Sequence, residues 1–131
     1  MIDIVFETPR FNLAEPKSEV HGEDVLRWLS SKLELHGAQT LKVYSQRWGW
    51  EMEVRHNVTM YLIGASGHLR ENPTSPNDGS WRITVTKRRS ILDRALGKNR
   101  MSKTDPLAWL VESALHAETD ITNVRREASA A

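Results

Sequence analysis

Between Gln46 and Gly64 the chain alternates apolar and polar side chains almost without fault, and no other feature constrains it as tightly. Trp50, Met52 and Val54 fall on one parity; Glu51, Glu53 and Arg55 fall on the other. A strand buried on one face requires that period of two, whereas a helix would repeat its apolar positions about every 3.6 residues. After His56-Asn57 the parity of Val58, Met60 and Leu62 is again apolar, so the stretch reads as a hairpin whose second arm buries those three.

The remaining segments fit around this sheet. Ile2–Thr8 reads as a first strand ended by Pro9, and residues 9–21, with Pro9 and Pro16, form a long connection. Glu23–His36 is a helix with Val25, Leu26, Leu29 and Leu33 at core spacing, Trp28 and Leu35 widening the stripe, and Gly37 where a left-handed cap is least strained. Thr40–Ser45 is a short strand with Leu41 and Val43 inward, and Ser66–Ser80 is a turn-rich loop holding Pro73, Pro76 and Asn77-Asp78-Gly79. Trp81–Thr86 is a strand with Trp81, Ile83 and Val85 inward, followed by a short helix, Ile91–Leu96, that stops at Gly97. The last helix opens at Asp105-Pro106, an acid at the N-cap and proline at the first helical position, with a buried stripe of Leu107, Leu110, Val111, Ala114 and Leu115. Thr119–Glu127 is a candidate final strand through Ile121, and residues 127–131 read as a frayed tail. Strands and helices segregated in this way predict a single α+β domain over residues 1–131. Its mostly antiparallel sheet would have about five strands, with helices packed on one face.

An apolar content of 39% and a charged content of 27% suit a folded chain with one core. Zero cysteines remove disulfides, thiolate metal sites and cysteine nucleophiles together. No apolar run approaches the roughly 20 residues that span a bilayer, and the acids in Met1–Glu7 do not suit a secretory leader, so a cytoplasmic protein with no membrane partner is expected. Charge is unevenly spread. Residues 87–103 hold seven bases (Lys87, Arg88, Arg89, Arg94, Lys98, Arg100 and Lys103) against Asp93, whereas residues 1–36 hold seven acids against four bases.

Few residues suggest chemistry. Five tryptophans stand against two phenylalanines and two tyrosines. Trp50 and Trp81 share the inward parity of their strands and read as core. Trp48 shares that parity, beside Gly49, which leaves one face bare for another backbone or ring. Trp109 lies opposite the buried stripe of its helix, with Glu112, Ser113 and His116 around it. A partial cap over a loop is the ordinary explanation, and a partner contact is the sharper one. For the basic segment, a solvated loop ranks first, an acidic protein partner at Lys87, Arg88 and Arg89 second, and nucleic acid third, because no aromatic residue lies between Trp81 and Trp109. The five histidines lack metal-ligand spacing, so no metal or other cofactor is expected. Glu51 and Glu53 read as a charged outer face, and no catalytic elbow, phosphate loop or dinucleotide fingerprint occurs.

Trp48-Gly49-Trp50, taken with the helix before it and the Trp81 strand after it, resembles a group of small uncharacterised bacterial proteins. These share the order helix, acid–Trp/Tyr-Gly-Trp strand, hairpin, Trp-initiated strand and C-terminal helix. The resemblance covers most of residues 20–125, departs at Gln46-Arg47 where acids would be expected, and implies a fold without an activity. The expectation is a binding or accessory protein without catalysis, immunity-like or regulatory, with Trp109, His116, Lys87, Arg88 and Arg89 as contact residues. A small-ligand pocket or enzyme site at Trp48, Trp50 and Glu51 is the alternative, and nucleic-acid binding through residues 87–103 the second.

Overall fold

The strand that opens the chain has neighbours on both sides that come much later in sequence, and this dictates the path between them. The computed structural model describes residues 1–11, 13, 21–75 and 77–127; Pro16, Pro76 and the expected tail beyond Glu127 lie outside them. Strands β1 (Ile2–Glu7), β2 (Gln39–Gln46), β3 (Gly49–His56), β4 (Thr59–Leu69), β5 (Gly79–Lys87) and β6 (Thr122–Glu127) form one antiparallel sheet in the order β2-β3-β4-β5-β1-β6. Helix α1 (Glu23–Glu34) carries the chain from β1 to the far edge. The meander β2 to β5 then returns to β1, and α2 (Ile91–Leu96) and α3 (Pro106–His116) lead to β6 on the other side of β1. The fold is α+β as expected, with six strands among the described residues instead of about five, because residues 122–127 do pair with β1.

One face of the sheet is covered by α1 and α3. Val25, Leu26, Leu29 and Leu33 of α1 are all buried, and each removes enough apolar surface from water to contribute about 2 kcal/mol. They share a core with Leu107, Ala108, Val111 and Leu115 of α3 and with Ile4, Phe6, Met52, Val54, Trp81, Ile83 and Val85 from the strands. The helix ends two residues earlier than its sequence suggests. Leu35 becomes its cap and turns to solvent, and the Ala38 N–H returns to the Leu33 carbonyl across Gly37, whose φ is +86°. Phe11 and Leu13, from the connection after β1, are also buried, and the Phe11 ring meets Trp28 and Trp81 edge-on at 6.0 and 5.7 Å.

The hairpin has the expected first arm and the opposite second arm. Asn57 and Val58 both have positive φ, 48° and 59°, and form a two-residue turn that pairs His56 with Thr59. Residues directly opposite share a face, so Val54 meets Tyr61, Met52 meets Ile63 and Trp50 meets Ala65. Tyr61, Ile63 and Ala65 are therefore the buried set. Met60 and Leu62 lie half-buried on the other face, and Val58 sits at the tip. Leu41 is likewise exposed, because a bulge between Thr40 and Lys42 shifts the register there. The loop expected over Ser66–Ser80 is shorter, since β4 stays paired with β5 as far as Leu69↔Gly79.

On the face without helices, the Trp48 indole leaves the β2–β3 turn and lies on Gly64, where a Cβ would come within 2.5 Å of its ring. At Gly49 the close neighbour is backbone: a Cβ there would stand 2.3 Å from the Ala65 carbonyl oxygen. Gly49→Ala is thus expected to destabilise the fold by about 2–3 kcal/mol, because the sheet itself must move, and Gly64→Ala by less than about 1 kcal/mol, because an exposed ring can lift away. Urea unfolding of the two variants compares them, and equal losses would contradict this packing.

Candidate functional site

A buried carboxylate sets the position of α3. Asp105 accepts hydrogen bonds from the backbone N–H groups of Leu107 and Ala108 at 2.9 and 3.1 Å, with Pro106 at the first helical position. Its other oxygen accepts from the Tyr61 hydroxyl of β4 at 2.9 Å and lies 3.6 Å from the Lys87 ammonium at the end of β5. Burial first, then the bond to Asp105, push the Tyr61 phenol well above its ordinary range. The start of α3 is therefore pinned over the ends of β4 and β5, and the Trp109 N–H closes the first helical turn onto the Asp105 carbonyl at 3.0 Å.

That placement opens a groove of about 560 Å³ lined by His36, His56, Lys103, Thr104, Pro106, Trp109, Leu110 and Arg126. Pro106, Leu110 and the Trp109 indole, 63% exposed, give it apolar walls. Its polar groups are two imidazoles, a hydroxyl, an ammonium and a guanidinium, with no carboxylate among the described lining residues. Arg126 already donates to Glu112 and to the Lys103 carbonyl. His56 is buried, and its Nδ1 has no hydrogen-bond partner among the described residues.

The groove belongs to one end of the sheet, defined by register. Met1 precedes Ile2, which pairs with Val85; Gln39 pairs with Arg55; and the Asn57-Val58 turn stands beyond His56. Large exposed apolar side chains concentrate at this end: Met1, Leu35, Val58, Ile91, Leu92, Leu96 and Trp109, with Leu41 a little further along β2, against Trp48 and Leu69 at the opposite end. Val58 is the oddest of them. It is β-branched with positive φ and 96% exposed, where local chemistry would place glycine.

The residues singled out from the sequence separate in the structure. Trp109 lines the groove. His116 is exposed on the same face of α3, two turns further on and outside the groove. Lys87 is held by Asp105, Arg88 lies 3.5 Å from Glu53, and Arg89 donates to the carbonyls of Lys98 and Asp93, so all three are engaged within the chain. Trp48 and Glu51 lie on the open face, whereas Trp50 packs against the core on the other, so the three do not line one pocket. Glu51 accepts from the Tyr44 hydroxyl, a bond that pushes the Tyr44 pKa up to about 12. His56 and Val58 read from the sequence as parts of the hairpin and not as site residues, and the exposed side chains of α2 are not singled out there; the signal available was the apolar arc Ile91, Leu92, Ala95 and Leu96, masked by the charges around it.

No family model, curated protein or solved structure matches the chain. Among the described residues no cluster of three or more metal-ligating side chains occurs, and no helix is long and apolar enough to cross a membrane.

Two measurements check this end of the molecule. Val58→Gly is expected to stabilise the fold by about 0.5–1 kcal/mol in urea unfolding, because glycine adopts positive φ without strain. The Tyr61 phenol keeps its proton to higher pH in the fold than in the unfolded chain, so its stabilisation is complete below about pH 10 and drains away as pH rises through the folded value. In a Tyr44→Phe background, Tyr61→Phe is expected to flatten the loss of stability between about pH 9 and pH 11.5, and an unchanged slope would contradict the burial of the phenol against Asp105.

Proposed function

We propose that this chain is a non-catalytic binding protein of the cytoplasm, immunity-like or regulatory, that acts by contact with another protein through the Trp109 groove. The observation that carries this reading is an exposed indole set in an apolar groove whose polar groups are cationic or hydrogen-bond donors. Aromatic anchors in partly enclosed hollows dominate protein interfaces energetically, and a groove whose described lining residues include Lys103 and no carboxylate favours a partner that presents an acidic residue beside an apolar one. His116, on the same helix face, extends the contact. Nucleic acid has less support, because Lys87 and Arg88 are drawn toward carboxylates of the same chain. A pocket at Trp48, Trp50 and Glu51 has less support because those side chains are divided between two faces.

The test is affinity capture from the native lysate, identification of the retained protein, and reconstitution with the purified partner. Trp109→Ala is expected to weaken the reconstituted complex about thirtyfold, the scale of an interface hot spot, and Lys103→Glu to slow its association. Affinity within about twofold of wild type for Trp109→Ala would remove the groove as the contact site.

A further inference from the structure

Helix α2 is ordered by its own ends and by nothing beneath it. The Ser90 hydroxyl accepts from the Asp93 N–H at 3.0 Å, the Asp93 carboxylate accepts from the Ser90 N–H at 3.1 Å, and Gly97 closes the other end in the left-handed conformation. Arg89 ties the segment back by donating to the carbonyls of Lys98 and Asp93, and Met101 re-enters the apolar packing. Between these anchors no residue of α2 is buried. At 100° per residue, Ile91, Ala95, Leu92 and Leu96 fall within an arc of about 140°, and that arc faces solvent: Ile91 is 88% exposed, Leu92 67% and Leu96 57%. A helical turn this well capped, with its apolar side outward, has the form of a wedge awaiting an apolar medium.

Its charge narrows what that medium is. Arg94, Lys98 and Arg100 flank the arc, and the segment's acid, Asp93, is taken up by the capping box. Beside α2, a hollow of about 380 Å³ is lined by Val58, Thr59, Met60, Arg88, Arg89, Ser90 and Asn99, again with no carboxylate among the described lining residues. A second copy presenting the same surface is disfavoured as the occupant, because it would bring like charge to both the wedge and the hollow. A protein groove fits less well than a membrane surface. The exposed residues are aliphatic and stand on a convex turn, whereas protein hot spots favour tryptophan, tyrosine and arginine and leave leucine under-represented. An interfacial lipid layer accepts aliphatic wedges and attracts arginine and lysine to its phosphates.

We propose that α2 and the Val58 turn seat on an anionic membrane surface, with Ile91, Leu92 and Leu96 entering the interfacial layer and the flanking cations meeting lipid phosphates. This goes beyond the protein-contact reading and does not rest on it; a chain can lie on a bilayer without crossing it.

Sedimentation of the full chain with vesicles tests it, using phosphatidylglycerol mixed equally with phosphatidylcholine, and phosphatidylcholine alone. Binding is expected to the anionic vesicles only, and to weaken at least about tenfold as salt rises from about 0.05 to about 0.5 M. Ile91→Ser/Leu92→Ser, which leaves charge unchanged, is expected to lose at least about tenfold. Arg94→Glu/Lys98→Glu is expected to lose at least as much, while Trp109→Ala stays within about threefold of wild type. Thermal unfolding of each variant checks folding, which α2 leaves intact because it contributes nothing buried. The proposal is overturned if anionic vesicles bind no protein at low salt, if neutral vesicles bind it equally, or if the Ile91/Leu92 variant binds as wild type does. It is also overturned if vesicles are inert and that variant instead weakens a complex with an acidic protein.

Discussion

The Asp105 carboxylate is the joint on which the grooved end of this protein turns. It serves as helix cap, as acceptor for a phenol of the sheet and as counter-ion for a lysine, and each role draws on a different element. A buried carboxylate with fewer partners would be unfavourable; with donors from α3, β4 and β5 it becomes a specific lock. Its consequence is geometric. The first turn of α3 can occupy one place above the sheet, so Trp109 points outward beside His56 while Leu107, Ala108 and Val111 point in.

How legible this was in the sequence varied with the range of the information needed. The α1 stripe, the Asp105-Pro106 helix start and the outward phase of Trp109 depend on spacing within one element, and all three read directly. The second arm of the hairpin did not, because its parity depends on a turn whose second residue is valine at positive φ, a choice that local rules assign to glycine. Treating Val58 as strand placed Met60 and Leu62 in the core that Tyr61, Ile63 and Ala65 occupy. The groove was out of reach for another reason: residues 36, 56, 103–110 and 126 meet only once the helices cross the sheet. Ionic pairing of Lys87 and Arg88 was hidden likewise, since their partners lie far off in sequence.

The two halves of the exposed end differ in shape. The groove beside Trp109 is concave and has an aromatic wall; α2 is convex and aliphatic. No acid occurs among the described lining residues of the groove or on the apolar arc of α2, whose Asp93 is taken up by the capping box, while much of the remaining surface is tied up in ion pairs, such as Arg10 with Glu118 and Asp120, or Arg82 with Asp3 and Glu127. Two local departures from the rules that stabilise a fold lie at this end as well, the valine turn and the buried imidazole nitrogen without a partner among the described residues.

The inner position of β1 has a further consequence, for synthesis. During translation this strand emerges ahead of both its neighbours; Ile2 pairs with Val85, and Asp3 with Glu127. Until β5 has left the ribosome, β1 has no partner, and the β2–β5 meander, whose contacts are local, can assemble without it. Closure of the sheet is therefore a long-range event, and the nascent chain must carry an apolar ribbon, Ile4-Val5-Phe6, unpaired until β5 has been made.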